Sequence, residues 1–161
     1  MSKIKNKTIL TLILLFSVFA IISAYFIQYV LGHEPCNLCL IERIPYIFSI
    51  IIISICLLSK KFEKITLMIL SLIFFTLVVL SFYHFGIEQG FIKESLVCDS
   101  NNLSDKLTKE AILGQLKSMP VSCKDVTFKI FGLSLATFNI FISLILSVIT
   151  TKLFLTYEKN K

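Results

Sequence analysis

Four of the five cysteines in this 161-residue chain fall into two pairs, Cys36 with Cys39 and Cys98 with Cys123, while Cys56 stands apart. In Pro35-Cys36-Asn37-Leu38-Cys39 the two intervening residues let the thiols close a strained small ring that can be opened and reclosed. Cys39 is expected in the first turn of a helix, where the positive end of the dipole favours a thiolate. Arg43, four residues on, shares a face with it and can stabilise a thiolate or the charge developing on an electron acceptor. An arginine there can also anchor the helix end at a membrane interface or pair with Glu42. Cys98 and Cys123 either staple one loop permanently or exchange electrons with the first pair through mixed disulfides. A Cys₄ zinc site is disfavoured, because the second pair lacks knuckle spacing and no other metal-ligand spacing is present. Cys56 lies 17 residues beyond Cys39, about 26 Å along a helix, and reads as a small buried apolar residue.

The elements that must position these thiols follow from composition. The chain is 56% hydrophobic and 16% charged with a mean hydropathy of +0.87, which excludes an ordinary water-soluble globule. Apolar runs at 8–31, 40–58, 65–85 and 130–155 predict four transmembrane helices in a single all-α domain, an integral membrane four-helix bundle. Starting the second run at Leu40 brings Glu42 and Arg43 to an interface, and both charges then need a reason. The first run is too long for a signal-peptide core and reads as a retained helix. The net charge of +6 is topological: Lys3, Lys5, Lys7, Lys60, Lys61, Lys64, Lys152, Lys159 and Lys161 mark the cytoplasmic side. Both termini are therefore expected in the cytoplasm, with loops 32–39 and 86–129 outside, where disulfides persist. Within the long loop, Leu103, Leu107, Ala111, Ile112, Leu116 and Met119 recur at helical spacing and predict a short amphipathic helix, interfacial or simply packed, that Pro120 stops. No internal repeat or second domain is evident.

Pro35-Cys36-Asn37-Leu38-Cys39-Leu40-Ile41-Glu42-Arg43, a second cysteine pair before the last span, and Phe131-Gly132-Leu133-Ser134-Leu135 at its start resemble the bacterial disulfide-bond formation protein B family and its BdbC-like relatives. The likeness covers nearly the whole chain. Ile130 departs from a usual leucine and Ala136 from a common proline, and neither touches the thiols. The resemblance implies a membrane thiol:quinone oxidoreductase of the bacterial inner membrane. It would reoxidise a periplasmic thioredoxin-like, DsbA-like thiol oxidase and pass the electrons to ubiquinone or menaquinone. By that likeness Cys98 accepts the partner's thiol and Cys123 is its disulfide mate. Cys123 then attacks Cys36, and Cys39 leaves as a thiolate that Arg43 holds beside the quinone. His84 resembles a family histidine and is a candidate for quinone binding or proton movement, against a plain packing role; His33 reads as a loop residue. Membrane lipid is the expected surroundings, and no nucleic-acid partner is expected. Two rivals are a non-catalytic scaffold with structural disulfides and a vitamin K epoxide reductase-like quinone reductase. In the latter the CxxC usually follows the loop pair, the reverse of the order here.

Overall fold

In hydrocarbon every backbone N–H and C=O must be satisfied within the chain, so apolar runs of this length fold as helices even where isoleucines crowd together, as at 50–53. The computed structural model describes residues 2–59, 62–93, 123–124, 129–130 and 132–159. Within them lie α1 (Ser2–Tyr29), α2 (Asn37–Ser59), α3 (Glu63–Glu88), a two-stranded hairpin of β1 (Lys129–Ile130) and β2 (Leu133–Ser134), and α4 (Leu135–Lys159). All four helices are long and apolar enough to cross a membrane, and the chain is an integral membrane four-helix bundle. Cys98 and the amphipathic segment expected over 103–119 lie outside the described residues.

The helix ends differ from the hydropathy boundaries in ways that matter for the site. The first helix reaches back to Ser2, and the second begins at Asn37, immediately after Cys36. The third runs past Phe85 to Glu88, so residues expected in the loop belong to its last turn. It stops where Gly90 adopts φ +77° and its amide bonds the Ile87 carbonyl at 3.0 Å. The chain then folds back so closely that a Cβ at Gly86 would meet Ile92 Cδ1 at 2.6 Å. The fourth helix starts at Leu135 rather than 130. The apolar residues before it are used in the antiparallel pairing of Lys129 with Ser134 and Ile130 with Leu133, and Gly132 at φ +81° turns the hairpin. Pro45 sits inside α2, where it has no N–H to offer the Ile41 carbonyl one turn back.

Contacts run from α1 to α2, α2 to α3 and, most extensively, α3 to α4. One apolar core, including Leu10, Ile13, Ile53, Leu70, Phe74 and Leu146, fills the half of the bundle nearer the termini. Cys56 is packed in that core as a small buried apolar residue. Lipid is as apolar as leucine, so close approach and interhelical hydrogen bonds have to add to packing. Ser17, Ser49, Ser143 and Thr150 are fully buried small residues that let the helices approach closely, the last three bonding carbonyls of their own helix, and buried Ser81 accepts from Asn139 of α4. Ser71 and Thr151 bond across α3 and α4 at 2.7 Å, and Asn6 donates to Glu63 at 3.0 Å between the starts of α1 and α3. Large side chains such as Ile22, Leu72, Phe82 and Ile145 are exposed and form the lipid-facing surface. A second, smaller cluster of Cys36, Leu38, Ile87 and Cys123 closes the other end of the bundle.

Candidate active site

The up-and-down order of the helices brings the starts of α2 and α4 and the ends of α1 and α3 to one end of the bundle. Two positive helix termini therefore converge there. Each is capped by its own side chain. Cys36 Sγ accepts the Cys39 amide at 3.3 Å, and Ser134 Oγ accepts the Thr137 amide at 3.3 Å, the geometry of an N-cap bonding the third helical residue. A sulfur in the role usually given to a serine oxygen is what Pro35 and the CxxC produce when the helix starts between the two cysteines.

Cys36 and Cys39 are free thiols with their sulfurs 2.8 Å apart. The hydrogen bond shared with the Cys39 thiol, helped by the His84 imidazole at 3.5 Å and the Cys39 amide, pulls the Cys36 thiol down to about 4 against the upward push of burial. The sulfur that the helix terminus stabilises is thus Cys36. Cys39 lies in the first turn, as expected, and supplies the amide that Cys36 Sγ caps. Cys123 is disulfide-bonded, 2% exposed, and packed in the same cluster as Cys36, with Cys39 against it.

His84 ends up 2% exposed between α2 and α3 and joins the cysteine pair to a buried polar network. Its Nε2 faces Cys36 Sγ, and its Nδ1 lies 3.2 Å from Glu42 Oε1. Asn139 of α4 donates from Nδ2 to Glu42 Oε2 at 3.0 Å and to Ser81 Oγ at 2.9 Å, while its Oδ1 accepts from the Tyr46 hydroxyl at 2.6 Å. On the other side of the imidazole, Glu88 Oε1 lies 3.8 Å from Nε2, and Glu88 Oε2 accepts from Ser134 Oγ at 2.5 Å. Three helices are thereby cross-linked by polar groups that hydrocarbon makes expensive to leave unpaired.

Arg43 turns away from this network. Its Nη1 donates to Gln28 Oε1 at 2.7 Å, and its guanidinium lies 5.1 Å from the centroid of Tyr25, both on α1. Glu42 and Arg43 thus serve different helices, and the pairing of the two weighed from the sequence is not formed. Between them opens a cavity of about 490 Å³. Its apolar walls include Phe16, Phe19 and Ile27 of α1 and Phe138 and Ile142 of α4, and Cys39, Arg43 and His84 line its polar side. His33 and Glu34 also line it, so His33, expected as a plain loop residue, belongs to the cavity.

The sequence missed Glu42, Glu88, Asn139 and Ser134 as members of the site. Glu42 carried a usable signal, a carboxylate inside an apolar run. Glu88 was hidden because hydropathy ended the third span at residue 85, and Asn139 has no periodic or motif signature at all.

The family described as "Disulfide bond formation protein DsbB" matches residues 6–153. An uncharacterized protein of Rickettsia prowazekii (strain Madrid E) is 30% identical over 160 residues, which span 98% of this chain and 90% of that protein. No solved structure matches the chain.

Proposed function

Because this chain belongs to the disulfide bond formation protein DsbB family, a family of membrane disulfide-forming proteins, we propose that it is a protein dithiol:quinone oxidoreductase. In this reading it reoxidises a soluble thioredoxin-like, DsbA-like disulfide donor on the periplasmic side of the bacterial inner membrane, with both termini in the cytoplasm. The single observation that carries the reading is the packing of disulfide-bonded Cys123 in one buried cluster with Cys36, beside a cavity that Cys39 lines. That arrangement lets thiol–disulfide exchange run from the loop pair to the helix pair.

The steps balance as two-electron exchanges. The partner's thiolate attacks Cys98 of a Cys98–Cys123 disulfide and frees Cys123. The partner's second thiol resolves the mixed disulfide, leaving the partner oxidised and the loop pair reduced. Cys123 attacks Cys36 of the helix-pair disulfide, and Cys39 leaves as a thiolate lining the cavity. Closure of Cys98 on Cys123 restores the loop disulfide and leaves Cys36 and Cys39 as the dithiol.

The cavity fits a quinone: apolar walls from α1 and α4 suit its ring and tail, and Arg43 and His84 supply the few convergent polar groups such a site needs. A bound quinone supplies the sink for two electrons and two protons. Arg43, held by Gln28 and Tyr25, presents a fixed cation to negative charge in the cavity. His84, backed by Glu42, adds a polar edge that can hold or move a proton at Nε2. The test supplies purified protein with a short-chain quinone and a reduced thioredoxin-like partner, following quinone absorbance and partner thiols together. Coupled loss that disappears in Cys39→Ser is expected; partner oxidation that proceeds without quinone loss overturns the reading.

A further inference from the structure

We propose that the reduced Cys36–Cys39 pair and His84 form a site for a thiophilic divalent cation of the zinc class, a site that exists only while the pair is a dithiol. Cys36 Sγ, Cys39 Sγ and a His84 ring nitrogen all lie within 4.8 Å of one another, and all three side chains are buried or half-buried. Zinc–sulfur and zinc–nitrogen bonds of about 2.3 and 2.0–2.1 Å at a tetrahedral angle put a sulfur and a nitrogen about 3.6 Å apart. Cys36 Sγ and His84 Nε2 already stand 3.5 Å apart. The two sulfurs, 2.8 Å apart, need to separate by about 1 Å to span the same ion, which side-chain rotation of Cys39 toward the cavity supplies.

The surroundings of His84 are those of a metal ligand. Its Nδ1 faces the Glu42 carboxylate at 3.2 Å, and Asn139 fixes that carboxylate from the far side. A carboxylate on one ring nitrogen orients the ring and raises the basicity of the other, here the nitrogen aimed at Cys36. Glu88 Oε1, 3.8 Å from Nε2, is within reach as a fourth ligand, and its position in the cavity wall gives the ion an approach. Two thiolates also cancel the charge of a dication, which lowers the cost of holding it among hydrocarbon. Binding displaces two protons from the sulfur and imidazole groups and moves no electron. A disulfide offers no thiolate, so oxidation of the pair dismantles the site.

The consequence for turnover rests on the proposed quinone-linked cycle: an ion held by both sulfurs keeps the dithiol from being reoxidised. Binding itself does not depend on that cycle. The experiment uses the full chain carrying Cys98→Ser and Cys123→Ser, in lipid nanodiscs without oxygen, so that reduction leaves the α2 pair as the dithiol. Cadmium is titrated in and the thiolate-to-cadmium ultraviolet charge-transfer band is read. The band is expected to saturate at one ion per reduced chain, to be absent after oxidation, and to vanish in Cys36→Ser. Glu42→Gln, which leaves every ligand in place, is expected to weaken binding about 10–100-fold, and zinc to compete. Equal affinity in His84→Ala and Glu42→Gln, or a band that survives oxidation, overturns the site. A chain that binds cadmium as described yet fails the coupled quinone assay loses the function and keeps the site; the opposite result keeps the function and removes the site.

Discussion

Replacing His84 with glutamine keeps a polar side chain of similar reach but removes the imidazole that stands 3.5 Å from Cys36 Sγ. In the native chain the Cys39 thiol, followed by His84, holds Cys36 at about 4 in spite of burial. Losing one such neighbour weakens the acid about 10–1000-fold. A thiolate that is stable at pH 7 favours the reduced form of the pair. Each tenfold weakening therefore removes one decade of that preference, about 30 mV for a two-electron couple. The variant's Cys36–Cys39 pair should thus be a weaker oxidant by about 30–90 mV at pH 7. Alkylation of the reduced pair as a function of pH measures the acid directly. In the native chain the thiolate persists through neutral pH and is lost as pH falls through about 4, whereas in the variant it is lost at higher pH. Equilibration with glutathione measures the potential. An alkylation midpoint and a potential that both stay at the native values would refute the assignment of His84 as a support of the Cys36 thiolate.

Arg43→Ala removes the guanidinium that bonds Gln28 at 2.7 Å in the cavity wall. It should raise the KM for a short-chain quinone about 10–100-fold, the worth of a charged hydrogen bond, with a smaller effect on partner oxidation; steady-state kinetics with each substrate varied separates the two. Ser134→Ala uncaps α4 and strips Glu88 of its hydroxyl donor. The cap alone is worth about 0.5–2 kcal/mol, so the midpoint of thermal denaturation in micelles should fall. Cys56→Ser places a hydroxyl in the apolar core, where it can bond back to the preceding turn. Turnover in the coupled assay should be unchanged, and the stability loss should stay under about 2 kcal/mol.

Much of this molecule was legible in one dimension because the bilayer reduces folding to a length criterion. Four apolar runs must be helices, and the CxxC with Arg43 one turn on is a local pattern that a helix displays on one face. The helix ends were less legible, since the apolar runs break off at Lys7 and Gly86 whereas the backbone helix continues past both. Glu88 was lost in that gap, and the hairpin around Gly132 absorbed residues counted into the last span. The network around His84 was illegible for a different reason. Glu42, Glu88 and Asn139 come from three helices and Ser134 from the hairpin before the last of them, and only packing tells which polar residue meets which. Arg43 shows the same limit: its spacing from Cys39 put both on one face, but the tie to Gln28 depends on how α1 lies against α2.

The sulfur cap on α2 links electron count to backbone mechanics. As a thiolate, Cys36 is a strong acceptor for the Cys39 amide; once tied to a second sulfur it becomes a poor one, and the opening turn of the helix loses its clasp. Each turnover would then loosen and retighten the point where the chain enters the bilayer. The exchange rate of a single amide proton would report whether the pair is full or empty of electrons.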